Sequence, residues 1–182
     1  VSLRGLTAET DVGTVTISGA PGVPNPGFGR LATTLLTVAV IFLGGMVASR
    51  WAATGHAPIS DLYEFTATFG FGIAAAYLAF ETFMRQRRFG VLALPIVCIV
   101  LGIATLFPTT ITPLIPALQN GPLLTIHVSV MMISYAVLTV AFCGAVVYLA
   151  QGGEGHRRFG SLPSAEASAD LAHRAVIIGF PL

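Results

Sequence analysis

Residues 123–150 read LLTIHVSVMMISYAVLTVAFCGAVVYLA, a run without a single formal charge. A helix that crosses a bilayer needs about 20 consecutive apolar residues, and this run exceeds that. Three more runs qualify on the same ground. Residues 31–49 are uncharged, residues 62–80 carry only Glu64 near their start, and residues 89–107 complete the set. Residues 172–182 read as the start of a fifth span. The expected fold is therefore all-α, a polytopic transmembrane bundle of four spans plus the start of a fifth.

Composition agrees. Of the 182 residues 54% are hydrophobic and 9% charged, against about 25% charged in a soluble domain. Mean hydropathy is +0.83. The lipid bilayer is the solvent in which the chemistry must be read. A net charge of +1 gives no sign of nucleic acid as a partner. Cys98 and Cys143 fall in apolar runs, without CxxC or CxxCH spacing, and read as buried, inert thiols.

Residues 1–30 form a polar, Gly/Pro-rich N-terminal arm, and residues 31–182 a transmembrane domain that reads as incomplete at its C-terminus. Within the arm, APGVPNPGFGR (20–30) has the composition of a linker, and Thr14 to Ile17 is weakly strand-like. Arg4, Glu9 and Asp11 precede no apolar core, so the arm is not a signal peptide. The chain opens on Val1 and stops at Pro181-Leu182 as an apolar run begins, which reads as a piece of a longer protein.

All nine basic residues are arginines, and their placement sets orientation. Arg85, Arg87 and Arg88 follow the second run, Arg157 and Arg158 follow the fourth, Arg174 enters the fifth and Arg30 precedes the first. Loops 51–61 and 108–122 hold none, and only Arg50 borders one. The arginine ends are expected to face the cytoplasm or the plastid stroma. His56 and His127 then fall on the outer side, His156 and His173 on the inner. In the outer loop 108–122, Leu114 to Leu118 reads as a short interfacial helix, lining an apolar cavity or resting on headgroups.

His127 is the first candidate for chemistry. On a helix it shares a face with Met131, Ser134 and Tyr135 by i, i+4, i+7 and i+8 spacing. An ionisable side chain in a membrane segment is costly and points to function. Two readings stand side by side: an axial ligand to haem iron, or a histidine at headgroup level bonded to water or a carbonyl. His56, in TGHAPISDLYEF (54–65), is a second candidate ligand beside the plainer reading of a solvated loop histidine. In the same stretch Asp61 and Glu64 have the D-x-x-E spacing of a capping box, with a hold on a loop or ligand as the other reading. His173 and Arg174 read as snorkelling at the entry to the fifth span, Trp51 as an interfacial anchor, and Gly44-Gly45 and the glycines of FGFG (69–72) as sites of close helix packing.

Three segments together, SRWAATGHAPISDLYEF (49–65), LIPALQNGPLLTIHVSVMMISYA (114–136) and ADLAHRAVIIGFPL (169–182), resemble one family. They are similar to the CcsA proteins of system II cytochrome c maturation, called ResC or CcsB in some bacteria. The likeness covers about residues 35–182. It implies a part of a cytochrome c synthetase complex, in a bacterial inner membrane or a thylakoid membrane, that works with a CcsB/ResB-type partner. That complex brings haem b across and presents it, reduced, to apocytochrome c, whose CxxCH thiols add to the vinyl groups. The family's P-A-L-Q…H-V histidine, an outer-face axial ligand, maps onto His127, and Met131, Ser134 and Tyr135 become wall residues beside the ring.

Departures from the family pattern are also plain. The tryptophan-rich WWD segment is absent, Trp51 being the sole tryptophan, and the second outer histidine is expected beyond residue 182. No usual first span precedes residue 31, and Pro122 stands where the family often has tryptophan. Two other classes fit the residues: an accessory subunit of a larger redox or photosynthetic complex without its own haem, and a transporter fragment. Neither the broken helices nor the paired repeats of a transporter are evident.

Overall fold

A computed structural model describes residues 26–110, 121–153 and 158–182. It is all-helical across them: α1 Pro26–Thr54, α2 Leu62–Met84, α3 Gly90–Ala104 behind a 3₁₀ turn at Arg87–Phe89, α4 Gly121–Gln151, and α5 Ala165–Gly179. Four helical stretches are long and apolar enough to cross a membrane: Gly27–Thr54, Leu62–Met84, Arg87–Ala104 and Thr125–Gln151. These are the four expected spans.

Boundaries differ in instructive ways. α1 begins at Pro26, because proline suits the first helical position, where its missing N–H costs nothing. Arg30 therefore lies inside the helix rather than before it. α5 begins at Ala165, not Ala172, and its start is fixed by the Ser164 side chain accepting from the Ala167 N–H at 3.2 Å. His173 and Arg174 thus sit mid-helix, where Arg174 pairs with Asp170 at 2.8 Å one turn back. The strand-like Thr14 to Ile17, the interfacial helix at Leu114 to Leu118, and His156 lie outside the described residues.

Side-chain pairs fix the topology. Thr33 meets Glu81 and Arg50 meets Glu64, so α1 and α2 run antiparallel. Gly70 meets Leu101 and Gly90 meets Tyr77, which does the same for α2 and α3, and Gly144 meets Ser168 while Gly179 meets Leu138 for α4 and α5. All helices thus share two common ends. One carries Arg30, Arg85, Arg87, Arg88 and Arg158; the other carries His56 and His127.

The core lies between α2, α3, α4 and α5. Tyr77, Phe89, Ala93, Val140, Cys143 and Leu171 are buried together there, and Ile73, Ala74, Val97 and Ala136 form a smaller cluster beside them. Lipid tails are as apolar as these side chains, so close backbone approach has to hold the helices together. At Gly144 an added Cβ would stand 2.9 Å from the Ser168 carbonyl oxygen. Ser134 donates to the Gly179 carbonyl at 2.7 Å farther along the same contact. At the arginine end the fully buried Gln151 amide donates to Pro163 O at 2.6 Å and to Phe159 O at 3.0 Å, and its oxygen accepts from Phe159 N at 3.0 Å. Of the glycines expected to allow packing, Gly44, Gly70 and Gly72 do approach a neighbour; Gly45 has open space around it. Cys143 is buried, whereas Cys98 is exposed on α3. An apolar, lipid-compatible outer face accommodates a thiol as readily as the core does.

Candidate functional site: the histidine end of the bundle

His127 stands near the start of α4 and is exposed. Leu123 and Ile126 beside it are exposed at 77% and 64%, so the imidazole rises from an open apolar wall. Met131 is half-buried and Tyr135 half-exposed along the same side. Ser134 shares their direction on the helix but is buried, its hydroxyl committed to Gly179. Along the expected face, then, His127 and Tyr135 are exposed, Met131 is half-buried and Ser134 is buried.

His56 occupies the tight turn between α1 and α2. Its Nδ1 lies 3.0 Å from the Ala57 carbonyl and 3.5 Å from the Ser60 hydroxyl. Thr54 Oγ1 donates to the His56 carbonyl at 3.0 Å and steadies the turn. Trp51 near the end of α1 and Ala57 and Pro58 of this turn line an apolar groove of about 410 Å³ against Ser129, Met132, Ile133 and Ala136 of α4. Those α4 residues lie roughly half a turn around the helix from His127. The two histidines thus share an end of the molecule but stand on different sides of α4.

Asp61 and Glu64 divide the work expected of a capping box. Asp61 accepts from the Glu64 N–H at 2.7 Å and caps α2. The reciprocal arm does not form, because Glu64 is taken elsewhere. Its Oε1 accepts from Arg50 Nε at 2.8 Å, and its Oε2 accepts from the Ser60 N–H at 3.1 Å and from the Ser60 hydroxyl. Arg50 also donates to the Thr109 carbonyl at 3.0 Å and lies 4.8 Å over the Tyr63 ring. The hold of Glu64 on the Ser60 loop is the other reading of these acids in the sequence; the part of Arg50 went unread. Its signal was Arg50 itself, the one cation bordering loops otherwise free of them, set near an apolar run that carries one acid.

What the end can do chemically follows from its donors. Among the described residues no three His, Cys, Asp or Glu side chains converge as a chelate for a bare metal ion. A single open imidazole on an apolar wall is the donor that an axial position on haem iron requires, since the macrocycle supplies the other nitrogens. The one open imidazole present, His127, is a donor of the kind such a group would need.

Residues 59–182 match the family model described as "Cytochrome C assembly protein". The red alga Pyropia yezoensis has a relative named "Cytochrome c biogenesis protein CcsA", 35% identical over 133 residues, which is 71% of this chain and 41% of that protein. A protein of the same name from the cyanobacterium Microcystis aeruginosa is 37% identical over 134 residues, 71% of this chain and 40% of its own length. This chain spans about two-fifths of the length of these curated relatives. No solved structure matches it. The family match runs through the turn after His56, through α4 with His127 and through α5, and on that extent and identity this integral membrane chain belongs to the cytochrome c assembly protein family.

Proposed function

We propose that this chain serves cytochrome c assembly by holding haem at the histidine end of its bundle, with His127 as an axial ligand to the iron. The observation that carries this reading is the exposed imidazole on the open wall of α4. Haem b is the substrate, and its vinyl groups receive the CxxCH thiols of apocytochrome c. The chain's own contribution is position and shelter. His127 fixes the iron at one height along α4. Met131 and Tyr135 stand beside the ring and exclude water from one side. Ser134 acts from beneath, by tying α5 to α4 at the floor of the open wall. His56 stands at the same end, on the other side of α4. The histidine end faces outward, to the periplasm or thylakoid lumen, and a CcsB/ResB-type membrane protein works beside the chain.

A complementation assay tests this. The full-length natural gene is returned to a host lacking its own copy, and c-type cytochromes are measured by haem staining. Wild type restores them. His127→Gly is expected to lower them at least tenfold while its level in the membrane is unchanged. Equal cytochrome levels from the two genes would favour the accessory-subunit reading.

A further inference from the structure

We propose that Arg50 and Glu64 are positioning residues that align the start of α4, and with it His127, against the α1–α2 turn; their effect on haem rests on the function proposed above. Arg50 lies in the last turns of α1, Glu64 opens α2 and Thr109 lies just beyond α3, and the α1–α2 turn they brace faces Ser129 and Met132 of α4 across the groove lined by Trp51, Ala57 and Pro58. One guanidinium joins all three segments. Its Nε reaches Glu64 at 2.8 Å, and its terminal nitrogen reaches the Thr109 carbonyl at 3.0 Å and Asp61 at 4.0 Å. The Glu64 side chain is 1% exposed and that of Arg50 14%.

A pair so buried is poor evidence for stability. Desolvation offsets the attraction, and apolar residues of the same volume often hold a fold as well. What apolar residues lack is fixed geometry, and the planar fork of arginine supplies it. The other buried acid of α2 provides a contrast. Glu81, at the arginine end, accepts from Thr33 and lies 3.7 Å from Arg87. That contact joins α1 to α2 and its own following turn, and reaches nothing beyond α3. The Arg50 fork does reach that far. Its location adds to the case: it is a cation at the end where the arginine bias would place none, so orientation does not account for it.

The test uses the full-length natural protein in three forms: Arg50→Met/Glu64→Leu, Arg50→Lys and wild type. Spin labels at Ala53 and Ile126, in a Cys98→Ser background, report the distance from the end of α1 to the start of α4. Haem occupancy and midpoint potential report the site. The double variant is expected to keep its Tm within a few degrees, to broaden the label distance at least twofold, and to lose haem about tenfold or shift its potential. Arg50→Lys keeps the charge but not the fork, and is expected to broaden the distance as well; it decides the matter if the double variant does not fold. An unchanged distance in the folded variant overturns the alignment. A broadened distance with unchanged haem and potential overturns the functional link and leaves a merely structural contact. Absence of haem from wild type would instead sink the haem reading, while the distance still decides the alignment.

Discussion

Gly144 sets how closely α4 and α5 approach. A methyl group there would meet the Ser168 carbonyl at 2.9 Å and the Ala172 N–H at 3.1 Å, and backbone atoms do not swing aside. Gly144→Ala is expected to cost about 1–3 kcal/mol, the usual range for overpacking, read as a lowered Tm in mild detergent. An unchanged Tm would mean the helices separate at no cost. Asp61→Ala removes the cap of α2 and is expected to cost about 1 kcal/mol, with no compensation from Glu64, which Arg50 and Ser60 already hold. The D-x-x-E spacing gave Asp61 its role as the cap; for Glu64 the other reading, a hold on the neighbouring loop, is the one observed. Spacing reports what a side chain can reach locally; it is silent on the guanidinium that folding brings from α1.

At the scale of elements, α1 and α5 are the unusual members. Of the α1 side chains described, only Leu36 is buried. The helix is held by Thr33 on Glu81 at one end, Arg50 on Glu64 at the other, and Gly44 against Phe71 between them. Gly44→Leu should therefore lower the Tm, since its Cβ would press on Phe71 at 3.2 Å, whereas Gly45→Leu should not, having open space. Equal effects from both would show that the α1–α2 contact is not the one described. α5 was legible only in its second half. Its apolar residues cluster late, so a reading by hydropathy starts the helix at Ala172. The buried face is instead made by Ala165, Ser168, Leu171, Ala175 and Gly179, mostly small residues spaced three or four apart. That spacing is the sequence signal of close helix packing, and Gly144 is its counterpart on α4. The four long spans were readable because a run of apolar residues needs no partner to be recognised. The burial of Ser134 on the His127 face was not, because it depends on a bond to Gly179 of α5, a partner distant in sequence.

For the whole molecule, the two ends carry different chemistry. Exposed Arg85, Arg88 and Arg158 crowd one end, while the other holds both His127 and His56. If arginine bias sets orientation, periplasmic alkaline phosphatase fused after Thr110 should be active, and the same fusion after Gln86 or Gly160 inactive. The reverse pattern would place His127 inside and remove it from any meeting with exported apocytochrome. The most direct measurement is the reduced visible spectrum of the full-length natural protein, isolated in mild detergent with its partners. It is recorded beside His127→Gly, each with and without added imidazole. Ligation by His127 predicts a six-coordinate ferrous haem signal in wild type, its loss in His127→Gly, and its return with imidazole. A spectrum that is the same in both proteins, or no haem in either, would contradict it.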